Sequence, residues 1–325
     1  MRLPKFRYVE PESIKEASTI LLDEPGAKFL AGGTDILPNM KHRVELPSVV
    51  INIKKIPGLN SVSEDNGDIR IGALTPLKKV YEHPAIAGSL SALASAASSV
   101  GSYHHQTMGT IGGNICQQNR CKYFNQSQWW RSSRPTCFKA GGEICHVVNK
   151  KEICYSSYCG DVAPALLVLD AKIILQSKNN SREIPLDMLF SGNGKAPLNL
   201  EAGEILTEII IPEEATDGFS TYIKSANRES IDFPIVGTAF RASMKKKEYR
   251  VAFTAVDRKP LRGHHIEDFL KGKDLCEELL EEATQIASKE ASPVKTSTYS
   301  PSYKRRMMGL LLRSAIQEAM GREES

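Results

Sequence analysis

Six of the seven cysteines of this 325-residue chain fall between Cys116 and Cys159, and this crowding constrains the fold more than any other feature. A chain of this length does not need the disulfide framework of a small secreted domain, so thiolates gathered in one stretch read as metal ligands or redox groups. Four of them, Cys121, Cys137, Cys145 and Cys154, share the stretch with Tyr123, Phe124, Trp129 and Trp130. Soft sulfur ligands suit iron or zinc in tetrahedral geometry. A structural zinc site is a chemical rival, although the paired Cys-x-x-Cys knuckles typical of zinc are missing. The aromatic residues read either as a shield that keeps water from the metal or as surface covered by a partner.

The rest of the chain has the composition of a protein with a full core, 41% hydrophobic and 25% charged, and its length predicts two or three domains. A net charge of +4, from 42 basic and 38 acidic residues, is interspersed. It predicts no nucleic-acid or anionic-membrane footprint, and Lys245-Lys246-Lys247 reads as a solvated hairpin tip. The charged N-terminus has no apolar segment behind it and no run approaches the roughly 18 apolar residues of a membrane span, so a cytoplasmic location is expected.

Ser13 and Glu16 have capping-box spacing ahead of Ile14, Ala17, Ile20 and Leu21, which predicts a first amphipathic helix. Strands are predicted over 28–31 and 49–53, then over 69–73 and 172–175, with an Ala/Ser-rich helix over 90–100. Strands at 220–223, 235–242 and 249–255 precede helices near 274–290 and 300–320, an order that suggests an α+β end domain. The boundaries drawn on this basis are 1–55, 56–212 with an insertion at about 117–158, and 219–325.

Two glycine segments carry the binding chemistry. Phe29-Leu30-Ala31-Gly32-Gly33-Thr34-Asp35 places adjacent glycines after a strand, where successive N–H groups can face one anion. Gly109-Thr110-Ile111-Gly112-Gly113-Asn114-Ile115 has the same character, with hydroxyl and amide groups able to reach phosphate or ribityl oxygens. Either alone reads as a plain turn, and neither has Walker or Rossmann spacing.

Together, the two segments resemble those of the FAD-binding medium subunits of the molybdenum hydroxylases, the xanthine dehydrogenase and carbon monoxide dehydrogenase family. Ile71-Gly72-Ala73-Leu74-Thr75, Gly160-Asp161-Val162-Ala163-Pro164, Glu204-Ile205-Leu206 and Tyr222-Ile223-Lys224 follow in the family's order. The resemblance implies an α+β fold, with a two-subdomain FAD-binding (PCMH-like) module followed by a C-terminal domain of a small antiparallel sheet and helices. It implies FAD contacts from Leu30, Ala31, Gly32, Gly33, Thr34, Asp35, Ala73, Thr75, Thr110, Gly113, Asn114, Gln117 and Asp161. Leu206 would pack near the isoalloxazine and Lys224 approach its polar edge; by residue type alone these two read as core leucine and surface lysine.

The insertion departs from most of the family and resembles the branch of the 4-hydroxybenzoyl-CoA reductase β subunit, in which a comparable loop holds a 4Fe-4S cluster. By that likeness Cys121, Cys137, Cys145 and Cys154 are the ligands, and the loop has little structure without the cluster. Cys116 and Cys159 read as cofactor-flanking structure, Cys276 as a small core residue on a helix, and His104 and His105 as polar packing. The resemblance further implies an electron-transfer oxidoreductase subunit with no substrate-transforming residue of its own. Its partners would be a large molybdenum-cofactor subunit, a small subunit with 2Fe-2S clusters, and ferredoxin or another electron carrier, in a dimer of heterotrimers. The leading expected reaction is reductive dehydroxylation of 4-hydroxybenzoyl-CoA in anaerobic aromatic degradation. The alternatives are a hydroxylase or dehydrogenase acting on an aldehyde, purine or other heterocycle, and a non-catalytic zinc scaffold.

Overall fold

The helix that follows Ser13 spans Ile14–Asp23, and the Ser13 hydroxyl accepts the Glu16 N–H at 3.2 Å, supplying one of the bonds that a free helix end lacks. In this computed structural model, which describes residues 2–323, that helix packs Ala17 against Val49 and Ile51 of a three-stranded parallel sheet. The sheet runs Arg7–Val9, Val49–Asn52, Lys28–Leu30. The Arg7–Val9 strand was not predicted. Its three residues carry no usable alternation, and it exists through its pairing with Val49–Ile51.

A five-stranded antiparallel sheet follows, ordered Val62–Asp65, Asp68–Gly72, Ile205–Ile211, Lys172–Gln176, Ser181–Pro185. Its central strand, Ile205–Ile211, arrives last and is buried at six of its seven positions, so the sheet cannot close until distant chain has returned. The Ser91–Ser98 and Val162–Val168 helices share the core of this sheet; every residue of the second is buried.

The third sheet pairs Phe219–Ser225, Val236–Ser243, Glu248–Thr254 and Leu261–Arg262 in antiparallel order. Lys245–Lys247 form the tip between two of these strands, as the charge run predicts. Alternate residues enter different cores: Tyr222, Ala239 and Ala252 face the central helices, while Phe240, Val251 and Phe253 lie under the Glu277–Glu290 and Pro301–Glu323 helices. Burial on both faces explains why these strands lack a polar side. The short His264–Leu270 helix was not anticipated. Cys276 sits at the N-cap of the Glu277–Glu290 helix and is half-buried, not on the helix and not a core residue as expected.

The insertion is a structured excursion. Its neck closes where Arg120 and Ser157 exchange main-chain hydrogen bonds of 2.7 and 2.9 Å. Beyond the neck lie the Gln128–Ser132 helix, capped by Ser127, and a hairpin pairing Ile144–Cys145 with Lys150–Lys151. Asn119 locks the neck from inside, its amide donating to the Ser156 carbonyl at 2.9 Å and the Arg258 carbonyl at 2.7 Å.

Asn119 is fully buried, so Asn119→Ala leaves two enclosed carbonyls without donors. We expect a loss of about 1–3 kcal/mol in urea unfolding, with hydrogen exchange rising first across residues 118–122 and 155–158.

Candidate functional site

The two glycine segments meet each other. A Cβ on Gly32 would fall onto the Met108 carbonyl and against the Gly109 backbone, and one on Gly112 would lie 2.8 Å from both Cβ and the carbonyl oxygen of Ala73. The glycines therefore permit backbone to pack on backbone. Gly33 has φ +78°, a left-handed conformation that favours glycine. The second segment is not the open turn that its composition suggests: Thr110 accepts the Gly113 N–H at 3.1 Å and caps the short Ile111–Ile115 helix. Long-range bonds to Ala73 and Thr75 hold that helical turn in place, with Gly112 N–H on the Ala73 carbonyl and Ile111 N–H on the Thr75 carbonyl.

Between the segments opens a cleft of about 550 Å³, within the roughly 300–1,000 Å³ range of cofactor sites. Of the residues expected to hold the flavin, Ala31, Gly32, Gly33, Thr34, Asp35, Ala73, Thr110, Gly113, Asn114, Gln117, Asp161 and Leu206 line it. Leu30, Thr75 and Lys224 do not. Leu30 ends the Lys28–Leu30 strand behind the turn. Thr75 is fully buried, its hydroxyl donating to the Ser61 carbonyl at 3.1 Å. The Lys224 ammonium is turned to the Asp161 carboxylate at 3.2 Å and to the carbonyls of Ser99 and Asp232.

Asp161 is buried and also accepts the Tyr222 hydroxyl at 2.7 Å. Burial pushes its carboxyl up to about 6, against the opposing pull of Lys224 and Tyr222. The Asn114 side chain accepts the Val162 N–H at 3.1 Å, so the second glycine segment also positions the start of the Val162–Val168 helix. Asp35 is ion-paired with Arg120 at the neck of the insertion. Arg120 and Tyr222 are not among the expected site residues; Tyr222 belongs to the Tyr222-Ile223-Lys224 motif and Arg120 adjoins Cys121, but only folding brings each to its carboxylate.

Arg120 and Cys121 stand at the junction of two chambers. Arg120 lines the cleft, and Cys121 joins Cys137, Cys145 and Cys154 around a small separate cavity. Cys121, Cys145 and Cys154 are buried and Cys137 is half-buried. Burial pushes the Cys121 thiol up to about 11, and the neighbouring Cys154 and Cys145 add to the rise. Tyr123 and Phe124 line this cavity, but Trp129, expected among its shields, is 82% exposed. Cys116 and Cys159 line the larger cleft instead. Among the described residues, no group of three or more His, Cys, Asp or Glu is arranged to hold a single metal ion, and no helix is long and apolar enough to cross a membrane.

Residues 4–214 match the family model for the FAD binding domain in molybdopterin dehydrogenase, and residues 221–319 match the CO dehydrogenase flavoprotein C-terminal domain. The chain is 31% identical over 291 residues to the nicotinate dehydrogenase FAD-subunit of Eubacterium barkeri, covering 86% of this chain and 84% of that one. It is 26% identical to the glyceraldehyde dehydrogenase medium chain of Sulfolobus acidocaldarius, over 97% and 98% of the two chains. A solved structure of carbon monoxide dehydrogenase from Hydrogenophaga pseudoflava superimposes with a TM-score of 0.81 at 26% identity, covering 99% of each chain.

Two outcomes test this geometry. Gly32→Ala forces the two backbones apart, so flavin bound per protein should fall at least about tenfold in a variant that still folds, measured by absorbance after gel filtration; undiminished flavin would refute the joint. The second concerns Asp161, whose folded value lies above its ordinary 3.8, so its burial is least costly when protonated. In the flavin-free chain, wild type should lose stability relative to Asp161→Asn as pH rises from about 4 to 6, and the difference should level off above that. The full effect is at most about 3 kcal/mol, at roughly 1.4 kcal/mol per pKa unit, read from urea midpoints across pH.

Proposed function

The chain belongs to the family of FAD-binding subunits of molybdopterin-dependent dehydrogenases and is an oxidoreductase subunit, and from that premise we propose that it carries electrons between FAD and a second redox centre in its insertion. The cleft would hold FAD between 1–55 and 56–212, with the glycine segments at the diphosphate and Leu206 on the ring side. When bound, FAD exchanges one or two electrons while iron-sulfur centres pass them singly. The residues of this chain position and enclose those groups. Gly32 and Gly112 bring the walls together, Asn114 and Thr110 set the helical turn, and the Lys224–Asp161–Tyr222 group fixes the far wall.

The observation that carries the second centre is the meeting of Cys121, Cys137, Cys145 and Cys154, from separate parts of the insertion, around one cavity. Four thiols around one cavity are the donor count of a 4Fe-4S cube, one thiolate to each iron, and the cavity, about 10 Å³, would widen to receive it. A single zinc draws its sulfurs to about 2.3 Å from one point. We read the cavity as the 4Fe-4S site.

The organic substrate would be transformed on a partner. Relatives are named as medium chains or FAD subunits of nicotinate, glyceraldehyde and carbon monoxide dehydrogenases, which favours a molybdenum hydroxylase or dehydrogenase with large molybdenum-cofactor and small 2Fe-2S partner subunits. The four-cysteine insertion favours a second reading, in which ferredoxin delivers electrons for reductive dehydroxylation of 4-hydroxybenzoyl-CoA.

Replacing any one of the four cysteines with Ser puts a harder oxygen ligand at one iron. Iron and sulfide should drop and the low-temperature EPR signal of the reduced cluster should change or vanish, while flavin content stays near wild type. Four-cysteine variants with unaltered iron and EPR, or a wild-type chain holding zinc and no iron, would sink the cluster. Turnover of the purified complex with 4-hydroxybenzoyl-CoA and reduced ferredoxin, against an aldehyde and a heterocycle with an electron acceptor, separates the two substrate readings.

A further inference from the structure

We propose that Lys139 sets the reduction potential of the centre in the four-cysteine cavity, acting as a fixed positive charge on its wall; the inference rests on the cluster reading above. Lys139 lies on the short Phe138–Ala140 turn immediately after Cys137. A lysine on a surface loop ordinarily keeps its ammonium in water, because desolvating an unpaired charge is costly. Here the side chain points the other way. Its Nζ donates to the Asn119 carbonyl at 3.1 Å and to the Ser156 hydroxyl at 3.4 Å, and both of those residues are almost wholly buried, at 0% and 1% exposure.

The ammonium passes 4.9 Å from the centre of the Phe124 ring, and the lysine lines the same cavity as the four cysteines. Burial works against the Lys139 ammonium and holds it below the usual lysine range, with Cys154, Cys121 and Glu45 pulling the other way and Arg120 adding to the fall. Ser156 stands between the cation and a sulfur: its N–H points at Cys154 Sγ at 3.5 Å, while its hydroxyl accepts from Lys139 and, at 3.3 Å, from the Cys154 thiol. Ser156 is itself held by a 2.9 Å bond to the Gly194 carbonyl. The position of the cation is thus fixed by the neck of the insertion and by the Gly194 loop rather than by an acidic partner.

One-electron reduction adds negative charge to the thiolate-bound centre. A cation held in a poorly solvated wall stabilises the reduced form more than the oxidised one, and hydrogen bonds toward sulfur act in the same direction. Lys139 therefore raises the potential, easing electron acceptance at this centre, and Ser156 orients it.

The test is an EPR-monitored redox titration of the anaerobically purified complex. Lys139→Gln should weaken reduction of the cluster at least about tenfold, a fall of about 59 mV for one electron, with the flavin midpoint unmoved. Lys139→Arg, which keeps the charge, should stay near wild type. A Lys139→Gln complex with full iron and an unchanged cluster midpoint overturns the proposal. If Lys139→Gln loses iron, Lys139→Arg decides: full iron at the wild-type midpoint supports a role for the charge, and an iron-poor Lys139→Arg overturns it. Zinc without iron in the wild-type complex would show instead that the cluster reading had failed, before any lysine variant is titrated.

Discussion

Backbone-on-backbone contact between the two glycine segments is the constraint on which the cofactor cleft depends. Gly32 lies against the Met108–Gly109 main chain and Gly112 against Ala73, so the turn after the Lys28–Leu30 strand and the end of the Tyr103–Met108 helix approach to a distance that no side chain would allow. The peptide groups there are held by specific bonds, Gly112 N–H to the Ala73 carbonyl and Leu77 N–H to the Gly109 carbonyl, each 2.9 Å. The chamber is consequently walled by rigid main chain, which costs little reorganisation when an anionic ligand is received. Glycine acts here first by its size and only secondarily by its conformational freedom, which matters at Gly33.

The insertion is built into this frame instead of hanging from it. Arg120 ties it to Asp35 of the first glycine segment, and the Arg131 guanidinium donates to the Arg43 carbonyl at 2.6 Å. On the other side, Lys122 N–H reaches the Thr296 carbonyl at 2.8 Å and the Ser157 and Thr296 hydroxyls meet at 2.8 Å. The four-cysteine cavity is therefore held by both the N-terminal unit and the C-terminal one. The proposed redox centre would gain from such support, since small shifts of its ligands or of nearby dipoles would change its potential.

The buried charges follow the same logic. The Asp161–Lys224 pair is kept in place by Tyr222 and by the Ser99 and Asp232 carbonyls, so neither charge is left without bonds in a poorly solvated site. It also couples the third sheet, which carries Tyr222 and Lys224, to the start of the Val162–Val168 helix. The wall of the cleft and the seam between two cores are one structure.

Much of this was readable in the chain. The capped first helix, the strands around 220–255, the charged hairpin tip and the two glycine segments are local patterns, because a cap, an alternation or a glycine pair is encoded within a few residues. The family likeness added the order of the motifs, and of the residues it implied all but Leu30, Thr75 and Lys224 line the cleft. Sequence could not show that Thr110 caps a helix, that Thr75 is enclosed away from the cleft, or that Lys224 turns to Asp161, because each depends on a partner brought in by folding. The three-residue Arg7–Val9 strand and the helix at 264–270 were missed for the same reason: their own patterns are weak and their neighbours stabilise them.

By itself, then, the sequence determined which chemical groups are present and their order: paired glycines, six crowded cysteines, an aspartate and a lysine in separate motifs. The tertiary structure alone decided which of those groups meet. It brought Cys121, Cys137, Cys145 and Cys154 around one cavity and Cys116 and Cys159 to the other, a division the family likeness implied, and it turned Lys139 inward, which nothing in the sequence implied. The physical reason is that a ligand set or an ion pair is a matter of ångströms between side chains, and those distances are set by packing and hydrogen bonds across elements that spacing along the chain does not measure.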